Sequence, residues 1–393
     1  MINHEMVLYS SCEHSFEAEV FSNLLDPRLD LWIRQHIARR TALVVTTPTV
    51  NRIYGEAMLS RLQQADCQPE WIVTDCREDS KLMELVLRVC QAAVQANIDR
   101  GGVLIALGGG VCSDIVTLAS SLLRRGISHV RIPTTLIGQI DAGIGLKGGV
   151  NFGVHKNFLG CFYPPDAVAI IPSILQTLSA DGIRQGLAEM IKVACTSDTT
   201  LFKKLERASA GNIEAQIKSG DARAHDMIRR AISAMMAELS KNPFERGGYE
   251  RAVDFGHTLA HPLEASTGYT LHHGTAVAVD LAFSTLLSRG LGWLDARSCE
   301  RIIGTLGSCR LPLWHENVNE QLVHDAFMAS AKHRGGEINM TLPTGIGTYA
   351  FLKHEKQCPS GLITAILSEL RRKQEEAAAT LSEGNAGMVK LPS

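Results

Sequence analysis

Residues 104–116, LIALGGGVCSDIV, show most directly which fold class the N-terminal half of the chain adopts. An apolar run ends at three glycines, Gly108, Gly109 and Gly110, and a helical pattern begins immediately after them. Glycine lets backbone N–H groups approach an anion closely, and the N-terminus of a helix adds a favourable dipole. The stretch therefore predicts a strand, a phosphate-binding turn and a helix, with a dinucleotide pyrophosphate as the natural ligand. Because the spacing is not GxGxxG, a tight connection without a ligand stays open as the alternative.

The segments on either side of this turn alternate between strand-like and helix-like patterns. Further strand-like runs are TALVVTTPTV (41–50), EWIVTD (70–75) and HVRIPTT (129–135), and helical spacing separates them. Such alternation with short connections is typical of a parallel, doubly wound α/β sheet. We therefore predict an α/β N-terminal domain that binds a dinucleotide.

The pattern changes near residue 172, after which long helical stretches dominate. The predicted division is a dinucleotide-binding domain at 1–172, an all-helical metal- and substrate-binding domain at 173–370, and a flexible tail at 371–393. Within the helical domain, TLPTGIGTYAFL (341–352) predicts a short hairpin.

The composition argues against some classes of partner. The 393-residue chain has a formal net charge of −2, which does not favour nucleic acid or an anionic membrane as a partner. No apolar run reaches the ~18 residues of a membrane span, and the N-terminus lacks a signal-peptide pattern. The ten cysteines form no CxxC pair, which is typical of reduced thiols in the cytosol. We expect a cytoplasmic protein with no nucleic-acid and no membrane partner.

Residues 133–165, PTTLIGQIDAGIGLKGGVNFGVHKNFLGCFYPP, are rich in both glycine and polar side chains. Loops in compact domains are usually short, so a long polar one needs a reason. One reason is a phosphorylated, polyhydroxylated ligand, since lysine supplies charge while asparagine and aspartate hold hydroxyls. A solvated surface loop is the other interpretation. The polar residues are Asp141, Lys147, Asn151, His155, Lys156 and Asn157.

A shorter polar segment, EDSK, precedes a helix further upstream. Its Glu78 and Lys81 either begin that helix or reach an adenosine ribose.

Three segments of the helical domain carry residues that can bind a metal. GLAEMIKVA (186–194) places Glu189 and Lys192 one helical turn apart, and an acid on an apolar face is costly unless paired or bound to a cation. DFGHTLAHPLE (254–264) has two histidines four residues apart, which share a face if the segment is helical. LHHG (271–274) places two further histidines, His272 and His273, at the start of the next helix. Two histidines with one glutamate are typical of catalytic zinc, although each histidine alone also suits a core or a surface.

These motifs together resemble the sugar phosphate cyclase superfamily, which includes dehydroquinate synthase. The resemblance covers about residues 44–347 and rests on LGGGVCSD, IPTTLIGQIDAGIGLKGGVN, HKNFLGCFY, GLAEMIK, FGHTLAH and LHHGTAVA in that order. It implies an N-terminal dinucleotide domain, a helical C-terminal domain, and a cleft that holds NAD and a divalent metal, zinc or cobalt.

The resemblance also implies roles for single residues. The metal ligands would be Glu189, His257 and His273, and His261 would be a non-ligand histidine near the substrate phosphate. The predicted substrate contacts are Lys147, Asn157, Lys192 and Lys332, with Asp141 orienting hydroxyls. The predicted NAD contacts are Gly108, Gly109, Gly110, Asp114, Thr134, Thr135, Asp141, Lys147, Lys156, Glu78 and Lys81. Arg125 resembles an arginine that reaches the substrate phosphate from a partner subunit, which implies a homodimer.

The chain departs from dehydroquinate synthases where they recognise a substrate carboxylate. The lysine position is Met236, the arginine position is Glu250, and the usual asparagine before FGH is Asp254. An unpaired carboxylate in such a site would cost several kcal/mol. The pattern favours the branch that cyclises sedoheptulose 7-phosphate by transient oxidation, phosphate β-elimination, reduction and intramolecular aldol addition. Because Arg251 is adjacent, dehydroquinate synthase itself stays an alternative.

The product and two further classes also stay open at this point. The 2-epi-5-epi-valiolone synthases have proline at the position of His261, whereas this chain has it at Pro262, which favours 2-epi-valiolone as the product. A metal-dependent alcohol dehydrogenase of the glycerol type shares the architecture, and a non-catalytic NAD-binding sensor would share the turn. The KNFLG stretch (156–160) and Lys192 argue against the dehydrogenase, whereas the intact set of Glu189, His257 and His273 argues against the sensor.

Overall fold

The computed structural model describes residues 15–153, 155–248 and 250–386, and strands occur in both halves of the chain. They are β1 (Glu17–Val20), β2 (Ala42–Thr46), β3 (Glu70–Val73), β4 (Val103–Gly108), β5 (Ser128–Pro133), β6 (Lys147–Phe152), β7 (His155–Phe162), β8 (Ala167–Ile170), β9 (Met340–Gly345) and β10 (Thr348–Leu352). Six strands form one sheet in the order β1-β8-β5-β4-β2-β3, and all neighbours in it are parallel. The predicted parallel sheet is confirmed.

Helices cover both faces of the sheet and make up most of the second half. They are α1 (Pro27–His36), α2 (Pro48–Val50), α3 (Glu56–Gln64), α4 (Met83–Gln95), α5 (Gly110–Leu122), α6 (Ala180–Ser197), α7 (Thr199–Ser209), α8 (Ile213–Ser219), α9 (Ala222–Lys241), α10 (Ala260–Ser266), α11 (His273–Gly290), α12 (Ala296–Ser308), α13 (Glu320–His333) and α14 (Leu362–Ala386).

Strand β4 lies inside the sheet, and all six of its residues are buried. Strands covered on both faces are continuously apolar, which is why VLIALG shows no polar alternation. Leu104 and Ala106 pack with α4 and α5 on one face, whereas Val103 and Ile105 pack with α1 and α3 on the other. The chain therefore passes from β4 to α5 at the carboxyl edge of the sheet, where ligands of open α/β sheets bind.

Helices α6 and α11 form the centre of the second half. Twelve of the 18 residues of α6 and 14 of the 18 residues of α11 are buried, so both lie within a core rather than on a surface. The antiparallel hairpin of β9 and β10 packs beside them, as the sequence predicts. Glu189 and Lys192 in α6, and His273 at the start of α11, are consequently carried by rigid elements.

The glycine-rich stretch at 133–165 is more ordered than the predicted loop. It contains a π-helical turn at Gly138–Ala142 and the antiparallel hairpin of β6 and β7. A Cβ atom at Gly160 would lie 2.5 Å from the carbonyl oxygen of Gly148, so close strand pairing requires glycine there. The expectation of a loop is wrong, because the glycines here allow two strands to pair closely rather than making the backbone irregular.

The C-terminal tail is also more regular than predicted, because α14 continues to Ala386. Ile366 and Leu370 anchor this helix in the helical core. The segment beyond 370 is rich in alanine and glutamate, which are good helix formers, and Arg372 and Glu376 pair one turn apart at 2.5 Å. Residues 387–393 of the predicted tail lie outside the described residues, and the domain division at 172 stays a prediction.

Two further findings concern the chain as a whole. Among the described residues, no helix combines the length and apolarity that crossing a lipid bilayer requires. The cysteines in the same part of the chain are free thiols, and Cys12 lies outside it.

Arg131 in β5 is fully buried and ties the glycine-rich stretch to the sheet. Its Nη1 donates to the carbonyl oxygens of Gly145 at 2.5 Å and Gly143 at 3.1 Å, and its Nη2 donates to Thr117 Oγ1 at 2.8 Å. Burial lowers the pKa of Arg131 to about 10, so the group stays charged at neutral pH. The turn that carries Asp141 therefore depends on this one guanidinium.

Replacing Arg131 by methionine keeps much of its volume but leaves these buried acceptors without a donor. Each unpaired buried polar group costs about 1–3 kcal/mol, so the midpoint of thermal unfolding should fall by about 5–10 °C. Differential scanning fluorimetry measures the shift, and Arg297→Met at an exposed position of α12 is the control, with an expected shift below about 2 °C. Equal shifts in the two variants would contradict the role given to Arg131.

Candidate active site

The glycine turn after β4 is closely packed on both sides. A Cβ atom at Gly108 would lie 2.6 Å from Cys112 Cβ, and one at Gly110 would lie 3.0 Å from Ala142 Cβ. The backbone N–H of Thr134 donates to the carbonyl oxygen of Gly108 at 2.9 Å, which joins the ends of β4 and β5. Gly109 and Gly110 nevertheless stay partly exposed, so the N-terminus of α5 is accessible to an anion, as expected of a pyrophosphate site.

A buried lysine lies near this turn and connects three of the predicted NAD and substrate contacts. Lys81 Nζ is 2.5 Å from Asp114 Oδ2 and 2.5 Å from Asn157 Oδ1, and the residue is 2% exposed. Burial alone would lower the pKa of Lys81, but Asp114 and Glu78 raise it above its ordinary value. Lys81 is therefore a fixed positive charge at the carboxyl edge of the sheet.

The predicted metal ligands converge on Glu189, whose side chain is fully buried. Glu189 Oε1 lies 3.2 Å from His273 Nε2 and 3.7 Å from His257 Nε2. Neither carboxylate oxygen makes a hydrogen bond of ordinary geometry with the described residues, although Oε2 lies 2.6 Å from Lys192 Nζ. One carboxylate and two imidazole nitrogens within 4.8 Å of one another suit Zn2+ or Co2+.

The two histidines of the DFGHTLAHPLE motif do not share one helix. His257 precedes α10, which begins at Ala260, so the expectation of a common helical face is wrong. The ring of His257 is fixed by a hydrogen bond between its Nδ1 and the carbonyl oxygen of Phe255 at 3.1 Å. Burial lowers the pKa of His257 well below its ordinary value, so its Nε2 is free of a proton and can bind a metal.

Asp280 in α11 holds this bend in place. Its Oδ2 accepts hydrogen bonds from the backbone N–H groups of Leu259 at 2.6 Å and Ala260 at 3.3 Å. The start of α10 is therefore capped by a side chain from α11, which is itself buried in the core. His261 follows on α10, and its ring centroid lies 5.6 Å from that of His257.

Lys192 and Asp141 lie beside the metal cluster. Lys192 Nζ is 3.5 Å from Asp141 Oδ2, and Asp141 belongs to the turn that Arg131 supports. Burial would lower the pKa of Lys192, but Asp141 and Glu189 raise it, while burial raises the pKa of Asp141. Lys192 is therefore a charged hydrogen-bond donor, and Asp141 a hydrogen-bond acceptor, next to the predicted metal ligands.

The structure pairs both arginines near Asp254 with carboxylates of the chain itself. Arg251 Nη1 lies 2.6 Å from Glu245 Oε1 and 3.7 Å from Asp254 Oδ1. Arg334 Nη2 donates to Asp254 Oδ2 at 2.8 Å. Glu245 also forms an ion pair with Lys147, the predicted phosphate contact. These pairs argue against Arg251 as a receptor for a substrate carboxylate.

The positions that hold cations in dehydroquinate synthases are engaged elsewhere. Met236 packs against the apolar core of the helical half. Glu250 forms an ion pair with Lys353 in the segment after β10. Neither Met236 nor Glu250 therefore supplies a free positive charge to the end of the site where a substrate carboxylate would bind.

Two of the predicted residues lie apart from this cluster. Arg125 follows α5 in a left-handed backbone conformation with φ of 68°, and its side chain is exposed. Lys332 is exposed near the end of α13. Within the described residues of this single chain, neither one forms a salt bridge. Both roles stay predictions.

Sequence reasoning missed three charged residues that shape the site, Glu264, Glu245 and Arg334. Glu264 ends the same motif as His257 and His261, so its spacing was a usable signal. Arg334 lies two residues after Lys332, but nothing in the sequence shows that it reaches Asp254. Glu245 becomes relevant only through the path of the loop after α9.

The fold and the site together define a protein of the sugar phosphate cyclase superfamily, and family models agree. A 3-dehydroquinate synthase N-terminal model matches residues 71–185, and a 3-dehydroquinate synthase C-terminal model matches residues 186–333. The chain therefore belongs to the 3-dehydroquinate synthase family, which confirms the resemblance of the motifs.

The relatives of this chain within the family include both 2-epi-5-epi-valiolone synthases and 3-dehydroquinate synthases. A 2-epi-5-epi-valiolone synthase from Streptomyces glaucescens is 37% identical over 361 residues, which are 91% of this chain and 92% of that protein. A 3-dehydroquinate synthase from Wolinella succinogenes is 34% identical over 313 residues, which are 79% of this chain and 86% of that protein. The solved structure of ValA (2-epi-5-epi-valiolone synthase) from Streptomyces hygroscopicus subsp. jinggangensis 5008, with NAD+ and Zn2+ bound, is 37% identical and has a TM-score of 0.86 over 94% of this chain and 100% of that chain.

Adjacent histidines provide a test of the metal cluster. His273→Ala should reduce tightly bound zinc from about one ion per chain to less than about 0.1, because one of three protein ligands is lost. His272→Ala is the matched control, since its side chain is 71% exposed and lies near Asp181. Inductively coupled plasma mass spectrometry after dialysis gives the metal content, and equal zinc in the two variants would refute the assignment of His273.

Proposed function

We propose that the protein is an NAD- and metal-dependent sugar phosphate cyclase that converts sedoheptulose 7-phosphate to a C7 cyclitol. The observation that carries this proposal is the pairing of Arg251 and Arg334 with Glu245 and Asp254. A substrate carboxylate would have to displace one of these internal carboxylates at a cost of several kcal/mol. A neutral hydroxymethyl ketone end carries no such penalty.

The residues of the cleft fit both cofactors. A zinc or cobalt ion would be held by Glu189, His257 and His273, because the buried carboxylate oxygens of Glu189 lack ordinary hydrogen-bond partners. The glycine turn and Lys81 would hold NAD. When bound, the metal supplies a Lewis acid and NAD supplies a reversible hydride acceptor.

The chain's own residues bind and orient the sugar. Lys192, fixed between Glu189 and Asp141, donates a hydrogen bond to a ring hydroxyl, and Asp141 accepts one. Lys147, Asn157 and His261 hold the phosphate group until it leaves. Holding both reacting carbons of one flexible chain in a folded conformation favours the intramolecular aldol addition. The overall reaction releases phosphate without net oxidation.

One assay separates the proposed function from its alternatives. The zinc-loaded protein with NAD is incubated with sedoheptulose 7-phosphate, or with the acidic precursor of dehydroquinate, and released phosphate is measured. We expect release from sedoheptulose 7-phosphate alone. Release from the acidic sugar alone would establish dehydroquinate synthase, and accumulation of NADH with glycerol would establish the dehydrogenase. Lack of turnover with all three, despite bound NAD, would leave the sensor.

The stereochemistry of the product has two candidates, each favoured by one observation. The relatives named 2-epi-5-epi-valiolone synthase favour 2-epi-5-epi-valiolone, whereas the retained His261 favours 2-epi-valiolone. Proton NMR of the purified product distinguishes them through the configuration at the 5-position.

Asp254 determines specificity in this proposal, because it accepts a hydroxyl hydrogen bond while it keeps Arg334 neutralised. Replacing Asp254 by asparagine should lower kcat/KM for sedoheptulose 7-phosphate by about 10–100-fold, since a charge-assisted hydrogen bond contributes about 1.5–3 kcal/mol. The acidic sugar should at the same time inhibit more strongly. The control is Glu300→Gln at an exposed position of α12, which alters a pair with Lys373 and should change kcat/KM by less than about twofold. An unchanged preference in the Asp254 variant would contradict this assignment.

The proposed active form is a homodimer in which Arg125 of one protomer reaches the phosphate in its partner. Exposure of Arg125 supports this arrangement, as do the exposed aromatic rings of Phe152 and Phe158 on the β6–β7 hairpin. A location in the cytoplasm is proposed on the free thiols of the described residues.

Mixing two inactive variants tests the shared site. Arg125→Ala and His257→Ala are each inactive if Arg125 acts in the partner's site, but a mixed dimer retains one complete site. Unfolding and refolding the two variants together should therefore restore about a quarter of wild-type activity, because half of the dimers are mixed and each has one working site. Activity no higher than that of the separate variants would show that Arg125 does not act across subunits.

A further inference from the structure

Glu264 is a buried carboxylate outside the predicted metal, substrate and NAD residues. It lies on α10 and is 1% exposed. Its Oε1 receives two donors, Lys156 Nζ at 2.5 Å and His273 Nδ1 at 3.2 Å. Its Oε2 has no hydrogen-bond partner within the described residues. A carboxylate held in this way is costly to bury, so its contacts point to a specific role.

The contact with His273 determines which ring nitrogen faces the metal cluster. An imidazole that binds a metal is neutral, and a carboxylate only accepts hydrogen bonds, so the proton that a metal-bound His273 keeps resides on Nδ1. Nε2, which lies 3.2 Å from Glu189 Oε1, then presents its lone pair to the cluster. His257 is oriented differently, because its Nδ1 meets the neutral carbonyl oxygen of Phe255. Of the two histidines, His273 has the ionic partner, which makes an imidazole a stronger ligand.

The contact with Lys156 connects this arrangement to the sheet. Lys156 belongs to β7 in the half of the chain that carries the glycine turn, and its Nζ also lies 3.9 Å from Glu78 Oε1. Glu264 belongs to the helical half. A continuous series of charged contacts therefore joins Glu78, Lys156, Glu264, His273 and Glu189.

We propose that Glu264 is a positioning residue that orients His273 toward the metal and links it, through Lys156, to the dinucleotide-binding half. Binding of NAD and binding of the metal are then energetically coupled. This inference rests on the proposed function only in taking Glu189, His257 and His273 as metal ligands and the glycine turn as the NAD site.

A competing interpretation is a second metal ion, since ligand atoms of His261, Glu264 and His273 lie within 4.8 Å of one another. The position of Lys156 argues against it. Its ammonium group lies 2.5 Å from Glu264 Oε1, and this charge would repel an ion bound to the same carboxylate. The number of zinc ions per chain separates the two interpretations.

The test measures zinc affinity by competition with a chelator, with and without NAD, and uses no sugar substrate. In the wild-type protein, one zinc ion should bind per chain, and NAD should tighten its binding.

Glu264→Ala should weaken zinc binding by about 10–100-fold. Glu264→Gln keeps an acceptor for His273 Nδ1 and should restore most of that affinity. In Glu264→Gln and in Lys156→Met, the effect of NAD on zinc affinity should fall to about onefold, and the effect of zinc on NAD affinity should fall equally.

Glu300→Gln serves as the control, because its carboxylate is ion-paired with Lys373 at the surface and the substitution should leave both affinities unchanged. The proposal is overturned if a folded Glu264→Ala protein binds zinc within twofold of wild type. It is likewise overturned if NAD affects zinc affinity equally in all variants, or if the wild-type chain binds two zinc ions. Because these readouts need no turnover, a protein that shows the coupling but does not release phosphate would contradict the proposed function and leave the role of Glu264 standing.

Discussion

The burial of Glu189 is the constraint on which the rest of the site depends. Its side chain is fully buried on α6, whose other buried residues are mostly apolar. An isolated charge in such surroundings costs several kcal/mol, so opposite charge or a cation must be provided nearby. Lys192 supplies part of this, and His257 and His273 complete a donor set for a metal. The long, rigid helices of the core therefore also position the residues that can bind a metal.

Ion pairs, rather than apolar contacts alone, connect the two halves around the cleft. Three lysine–carboxylate pairs cross it: Lys192 with Asp141, Lys156 with Glu264, and Lys147 with Glu245. In each pair, one residue comes from the sheet half and one from the helical half. A ligand that carries phosphate enters a region where positive charges are already held at defined positions. The same charges that join the halves are thus those that a sugar phosphate or a dinucleotide can use.

The pairing of cations in this chain supports the class of substrate proposed for it. In the proposed site, Lys147 and Lys192 bind the phosphate and a ring hydroxyl, while Arg251 and Arg334 are neutralised by carboxylates of the chain itself. At this end of the site, a substrate carboxylate would have to displace an internal carboxylate from Arg251 or Arg334. Specificity for a neutral end therefore follows from occupied arginines as much as from the missing lysine at Met236.

The sequence by itself determined the features that depend on neighbours close along the chain. Strand and helix alternation, the glycine turn after β4, and the one-turn spacing of Glu189 and Lys192 are set by periodicity and by local backbone geometry. Motif order added the pairing of Glu189 with His257 and His273. Only the tertiary structure decided that Glu264 meets Lys156, 108 residues away, and that Asp254 meets Arg334, 80 residues away. It also showed that 133–165 forms a hairpin. Such contacts depend on where separate elements pack, and no local pattern encodes the approach of two charged side chains from opposite halves.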